Sequence, residues 1–260
     1  HDVHVLLASL GRPEQRERRL LEARAAATVG GWSLHAPDTT AAIGAHDDLV
    51  GAQSFIAQQV QALARELNAD IVIAPSPHDA HHGHEVVGRA VTAALRGDDG
   101  VRWWAWALWG HLPRTSLIHP VDAGTMQVAV TALAAYRGEN ERNDYRRLLA
   151  GGSEAAAVLG PERVFGFGSA RVSDLPYASL FLASGKPNPA MKRWCSSSID
   201  VFNASSASRR SNETATKHPC IGRLAICAAW ASAVSSSFPR SHTRSARPIS
   251  RASCARMTGW

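Results

Sequence analysis

The segment between residues 78 and 85 carries side chains that could form a metal site or an acid–base site. His81 and His84 are three positions apart, so on one helix both rings can reach the same small volume. Asp79 is placed to accept a hydrogen bond from a ligating ring nitrogen and so to fix its tautomer. The positive end of a helix dipole disfavours a charged His84, which keeps that ring able to bind a metal. The segment is equally compatible with a solvated histidine-rich loop that has no ligand.

A buried strand and an amphipathic helix are predicted to position this segment. Residues 71–75 form a short apolar, β-branched run bounded by prolines, which indicates a buried strand. The helix that follows has one apolar face, made of Val86, Val87, Ala90, Val91, Ala94 and Leu95. The histidines therefore lie at the carboxyl end of a strand, where open α/β sheets bind their ligands.

The other predicted elements fit one α/β domain. Residues 52–68 form the clearest further helix, since Ile56, Val60 and Leu63 recur at helical spacing. Further helices are predicted at 14–29, 122–136, 141–150 and 153–159. Strands are predicted at 2–8, 32–35, 102–109, 163–168 and 177–183. The strand at 102–109 holds several tryptophans, which are either core residues or surfaces on which a sugar ring could stack.

Charge is distributed unevenly along the 260 residues. The formal net charge is +6, but residues 191–260 contain 11 Lys and Arg against 2 Asp and Glu. The preceding 190 residues are slightly acidic, so a nucleic-acid partner is not favoured for the domain. No apolar run is long enough to cross a membrane, and we expect a cytoplasmic protein because no secretory signal is present.

The composition changes abruptly at about residue 186. Residues 191–260 contain 15 serines and 9 arginines without a sustained period, and they hold all four cysteines at spacings that fit no zinc motif. We expect residues 186–260 to be a basic, Ser/Arg-rich tail that is disordered or translated in a shifted frame, with the true carboxyl end lost near residues 184–192. The alternative is a genuine tail that binds nucleic acid or another anionic surface.

Several stretches resemble the LmbE-like (PIG-L) zinc N-deacetylases. Residues 77–84, followed by Glu-Val-Val-Gly-Arg-Ala at 85–90, are similar to the family's second metal motif, Asp-x-His-Pro-Asp-His and its helix. His82-Gly83 stands where the family has Pro-Asp. The resemblance extends over residues 1–185 and includes Arg19–Ala27, Arg142–Tyr145 and Val158–Gly168. It implies an LmbE-like fold, which is a Rossmann-like, open and mostly parallel sheet with flanking helices.

The resemblance also implies roles for individual residues. His84 would bind Zn²⁺. His81 and Asp79 would be the catalytic residues. His81, in its protonated form, would stabilise the oxyanion and protonate the departing amine. Arg19 and Asp47 would hold the substrate. The reaction would be hydrolysis of an N-acetyl group on a glucosamine-type sugar or glycoconjugate. A homo-oligomer is compatible with the resemblance.

One part of the family pattern is missing. The first metal motif supplies the other zinc ligands and the general base in the family, and Ala45-His46-Asp47-Asp48 lacks its spacing. We expect that a strand, loop and helix are absent before His1 and that the chain as given is inactive, because a catalytic zinc needs three protein ligands. Alternatively, the domain is a metal-free carbohydrate-binding or scaffolding module.

Overall fold

The computed structural model describes residues 2–38, 40–44, 47–98, 100–183 and, as backbone, 223–228. The strands are β1 (Asp2–Leu7), β2 (Ser33–His35), β3 (Ile71–Pro75), β4 (Arg102–Trp106), β5 (Leu117–Val121), β6 (Tyr177–Ala183) and β7 (Arg223–Ala228). The helices are α1 (Arg16–Gly30), α2 (Leu49–Glu66), α3 (His82–Ala94), α4 (Ala123–Ala134), α5 (Arg137–Asn140) and α6 (Tyr145–Phe165), and a short 3-10 turn precedes α1.

The strands form one seven-stranded sheet in the order β2-β1-β7-β3-β4-β6-β5. The pairs β1–β2, β1–β7, β3–β7 and β3–β4 are parallel, whereas β6 is antiparallel to both β4 and β5. The expected mixed α/β fold with a mostly parallel sheet is therefore confirmed. Because β1, β7, β3 and β4 run in the same direction, their carboxyl ends meet at one edge of the sheet.

Helices cover both faces of this sheet. Neighbouring residues of β1 point to opposite faces, so Leu6 belongs to one apolar cluster and Leu7 to another. The larger cluster joins β1 and β3 to α2 and α3 through side chains such as Ile56 and Val87. The smaller cluster contains Ala23 of α1. The larger interface thus holds the carboxyl ends of β1 and β3 in fixed relative positions, and the smaller one packs α1 on β1.

Three element predictions differ from the structure. The predicted helices at 141–150 and 153–159 are one continuous helix, α6, and the strand predicted at 163–168 is wrong because residues 163–165 end this helix. The helix packs so closely on the sheet that a Cβ at Gly160 would lie 2.4 Å from the Ile118 side chain. This contact with β5 and β6 overrides the weak local helix preference of Gly151 and Gly152. Strand β5 itself was not predicted.

Strand β7 belongs to the segment predicted to be a basic tail. It lies between β1 and β3, with Asp2 opposite Arg223 and Ile71 opposite Leu224. The remaining residues from 184 onward, three of the four cysteines among them, lie outside the described residues, as do the predicted domain boundary and the expected frame shift. Within the described part of the chain, no helix has both the length and the apolarity that crossing a bilayer requires.

Candidate active site

The Asp79 carboxylate is the centre of the candidate site. It follows β3 and is completely buried. Its oxygens accept hydrogen bonds from the backbone N–H groups of Leu108 (3.1 Å), Trp109 (2.7 Å) and Gly110 (2.6 Å), just beyond β4. Burial by itself raises the pKa of Asp79, but hydrogen bonds from His84 and from this backbone lower it below its ordinary value. Asp79 is therefore a buried, ionised acceptor.

His84 is the fourth hydrogen-bond donor to Asp79. Its Nδ1 lies 2.6 Å from Oδ2 of Asp79, and its side chain is 1% exposed. Because the carboxylate accepts this bond, the proton of the neutral imidazole lies on Nδ1 and its Nε2 carries a lone pair. A carboxylate on one nitrogen is the usual arrangement for a histidine whose other nitrogen binds a metal. The Trp106 ring packs edge-on against His84, with 5.1 Å between centroids.

His81 lies beside His84 at the beginning of α3. The two ring centroids are 5.0 Å apart, and the His82 ring stacks on His81 at 4.8 Å. Nδ1 of His81 accepts the backbone N–H of Gly83 at 3.1 Å, which caps the helix and leaves the proton of the neutral ring on Nε2. Burial, helped by His84 and His82, lowers the pKa of His81 to about 4. The protonated His81 expected from the sequence thus becomes a neutral ring near pH 7.

Gly88 allows α3 to approach the loop that carries Asp79. A Cβ at this position would lie 2.5 Å from the Pro77 nitrogen and 2.6 Å from the Pro75 carbonyl oxygen. Both atoms belong to the backbone and cannot move aside as a flexible side chain would. Gly88 is four positions after His84 on the same face of the helix, so the close approach also fixes the height of His84 above β3.

Asp47 lies on an exposed loop that contacts the beginning of α3. Its carboxylate accepts the backbone N–H of Gly44, and Nε2 of His82 donates to the Ile43 carbonyl at 2.9 Å. The loop is thereby tied to the helix turn that bears His81. The structure thus places Asp47 on a segment that borders the site, with its carboxylate turned to its own loop.

Arg19 lies in a separate buried group between α1 and α5. Its side chain is 4% exposed, and its Nη2 donates to Glu139 at 3.0 Å. Arg142 donates to the other Glu139 oxygen at 3.0 Å and to the Tyr145 hydroxyl at 3.0 Å. Burial lowers the pKa of Arg19, and the Glu139 carboxylate opposes this shift. Arg19 is therefore held inside the fold and does not join the histidines.

We tested whether these residues fit a zinc ion. His84 suits the role of one zinc ligand, because its Nδ1 is bonded to Asp79 and its Nε2 carries the lone pair that would bind the metal. Within the described ranges, however, no group of three or more His, Cys, Asp or Glu side chains could hold a metal. A catalytic zinc requires three protein ligands. The described residues thus supply one oriented ligand and do not complete a zinc site.

Sequence reasoning missed the role of Leu108, Trp109 and Gly110. A strand was predicted to continue to residue 109, but β4 ends at Trp106 and the chain then bends around Asp79. A Cβ at Gly110 would lie 3.2 Å from the His78 carbonyl oxygen, so a small residue is favoured at this position. The sequence does contain one sign of this bend, namely the Trp109-Gly110 pair just after the predicted apolar run. His111, the histidine beyond it, is exposed.

The fold is similar to that of solved deacetylases. Over 69% of this chain and 84% of the other, it matches the antimicrobial reagent A40926 pseudoaglycone deacetylase Dbv21 with a TM-score of 0.52 and 15% identity. A deacetylase–bog complex from the teicoplanin biosynthesis pathway covers 71% of this chain and 88% of its own, with a TM-score of 0.50 and 12% identity. The zinc-inhibited form of teicoplanin deacetylase Orf2 covers the same shares at 13% identity and a TM-score of 0.48.

These similarities concern the fold. No family model matches the sequence, and no curated protein matches it. At 12–15% identity the shared feature is the arrangement of helices and strands. The expected Rossmann-like, open and mostly parallel sheet with flanking helices is confirmed, and these deacetylases share it.

Proposed function

We propose that this chain, which has the LmbE-like deacetylase fold, is the domain of a zinc-dependent N-deacetylase whose substrate is an N-acylated amino sugar or glycoconjugate. The observation that supports the proposal is the buried Asp79–His84 pair at the carboxyl edge of the sheet. Four donors hold the carboxylate, and the carboxylate presents Nε2 of His84. A histidine that served only the core would not need such a costly buried charge.

In this proposal each residue of the site has a separate task. Asp79 is a positioning residue that fixes the tautomer and direction of His84, and His84 is the zinc ligand. His81 is neutral at pH 7 and carries its proton on Nε2, so it donates a hydrogen bond to the oxygen that gains negative charge when the amide is attacked. The 260-residue polypeptide has negligible activity by itself, because its described residues offer no group of three metal ligands.

Zinc affinity tests the metal part of this proposal. We would titrate the purified chain with zinc against a chromophoric chelator and compare wild type with His84→Ala and with His78→Ala, an exposed histidine of the same loop. Wild type and H78A are expected to bind zinc equally, and H84A to bind at least tenfold more weakly. Equal binding by H84A would overturn the role of His84.

Amine release from N-acetylglucosamine-type sugars tests the reaction. We expect negligible release by the 260-residue chain, and turnover comparable to that of an intact deacetylase would overturn the proposed inactivity. DNA sequence upstream of the His1 codon then decides what completes the site. A frame that continues into a strand ending in His-x-Asp-Asp-Glu supports the deacetylase, whereas a start codon near His1 without that motif contradicts it.

A metal-free carbohydrate-binding module is the second candidate. It is favoured by one observation, the 39% exposure of Trp109 next to His81. Sugar binding by a chain that shows no affinity for zinc in the titration above would support this candidate over the deacetylase. Loss of sugar binding on chelation would count against it.

A further inference from the structure

Trp109 differs from the other tryptophans near the site. Trp104 is buried and packs on Phe181, with 5.5 Å between ring centroids. Trp106 is half-buried and meets His84 edge-on. Trp109 comes three positions after the end of β4 and has more than a third of its surface exposed to solvent. An exposed indole beside a buried polar site offers a ligand a large apolar face and a polar edge.

The position of Trp109 is fixed from two sides. Its backbone N–H donates to Oδ1 of Asp79 at 2.7 Å, so the main chain is anchored to the same carboxylate that orients His84. Its ring meets Tyr145 edge-on, with 6.1 Å between centroids and an interplanar angle of 89°. Tyr145 is buried, and its hydroxyl accepts a hydrogen bond from Arg142 at 3.0 Å. The indole is therefore held in place before any ligand arrives.

The same ring adjoins the histidines. The centroids of Trp109 and His81 are 6.2 Å apart, and His81 in turn lies 5.0 Å from His84. A pyranose ring has an apolar face of C–H groups and a rim of hydroxyls. An aromatic ring of fixed orientation binds such a face with little loss of side-chain entropy.

We infer that the exposed face of Trp109 is the platform on which the sugar ring of the substrate stacks, beside His81 and His84. This inference rests on the proposed function and adds the specificity element to it. It also gives Asp79 a second task. Since one carboxylate holds both His84 and the Trp109 backbone, the distance from the sugar platform to the metal-facing histidine is set by a single buried group.

Saturation-transfer NMR with N-acetylglucosamine as the probe tests the platform. The measurement uses the full chain in excess chelator, so that sugar binding is read independently of zinc and of hydrolysis. Wild type is expected to transfer saturation to the ring protons of the sugar. Trp109→Leu keeps an apolar side chain but removes the aromatic face, and is expected to weaken binding about tenfold. Trp109→Phe retains a smaller face and is expected to remain within about threefold of wild type.

Phe167→Ala is the control, because this aromatic residue is 99% exposed and follows α6. It should bind the sugar as wild type does, and thermal melts should show all three variants folded. Binding by W109L equal to that of wild type would overturn the platform, and so would the absence of saturation transfer from wild type to the sugar. If W109L loses the sugar but H84A binds zinc normally, the platform is supported and the proposed zinc site is wrong.

Discussion

Two buried carboxylates in this protein are held by different kinds of partner. In the histidine site, formed by Asp79, His81 and His84, the central carboxylate receives four hydrogen bonds. In the arginine cluster, formed by Arg19, Glu139 and Arg142, Nε and Nη1 of Arg19 are buried and donate no hydrogen bond to any described residue.

The difference shows how a buried charge can be used. A carboxylate surrounded by fixed N–H groups cannot turn, so whatever it holds is held in one orientation. A guanidinium with two nitrogens that lack an acceptor carries a desolvation cost that its one ion pair only partly offsets. The first arrangement suits the orientation of a reactive ring. The second arrangement joins α1 to α5, and it contributes less net stability than the fully hydrogen-bonded carboxylate does.

The largest effect is expected from Asp79→Ala. The substitution leaves three backbone N–H groups and His84 without their acceptor inside the fold. We expect a loss of about 4 kcal/mol in the free energy of unfolding, within the range for breaking a buried pair. Urea unfolding measures this loss. Asp98→Ala is the control, because Asp98 is exposed and its carboxylate accepts the Gly100 N–H at the surface, and it should cost under about 1 kcal/mol.

A smaller loss is expected from Arg19→Ala. Glu139 loses one of its two cations but keeps Arg142, so the expected loss in unfolding free energy is about 3 kcal/mol. Arg24→Ala, an exposed change on the same helix, should stay within about 0.5 kcal/mol. If R19A were as stable as wild type while sugar binding fell, Arg19 would be a substrate residue, as the sequence suggests.

Acid should affect the histidine site through His81. Its pKa in the folded protein is about 4 against 6.5 in an unfolded chain, so the unfolded state binds more protons between these values. The stability contributed by the neutral ring is present above pH 6.5 and is lost as the pH falls toward 4. His81→Gln should remove this part of the acid dependence, which urea unfolding at pH values between 7 and 4 measures.

The smallest effect is expected from a Gly→Ala substitution, made once beside the histidine site and once beside the arginine cluster. A Cβ at Gly110 would approach the main chain of His78 and Ala80 at 3.2 and 3.3 Å. Gly110→Ala should therefore cost about 1 kcal/mol. A Cβ at Gly138 would meet only the flexible end of Arg18, so Gly138→Ala should cost less than about 0.5 kcal/mol. Thermal unfolding of both variants measures the difference, and a larger loss for G138A would reverse the comparison.

The sequence predicts the local part of the histidine site well. Residues 71–75 and the apolar face of α3 are visible as periodic patterns, and the spacing of His81 and His84 follows from the helix. Asp79 is two positions before His81, so its bond to a ligating ring could be anticipated as well. All of these relations lie within about 25 residues of one another in the sequence.

The rest depends on contacts that no local pattern encodes. The N–H groups of Leu108–Gly110 meet Asp79 from about 30 positions away, and they act through the backbone, whose direction residue types do not reveal. Arg19 and Glu139 are 120 positions apart. The zinc ligation by His84 and the substrate roles of Arg19 and Asp47 stay predictions.

The position of β7 has a consequence for folding during synthesis. Asp2 pairs with Arg223, 221 positions later in the chain, and β7 lies between β1 and β3. When a nascent chain has left the ribosome as far as β6, six of the seven strands have been synthesised. The strand that belongs between β1 and β3, which is β7, is still missing. The facing edges of β1 and β3 are templates for another extended segment during this interval. Such long-range closure makes folding slow, and the rate of translation past residue 228 then sets how long the nascent domain is prone to aggregate.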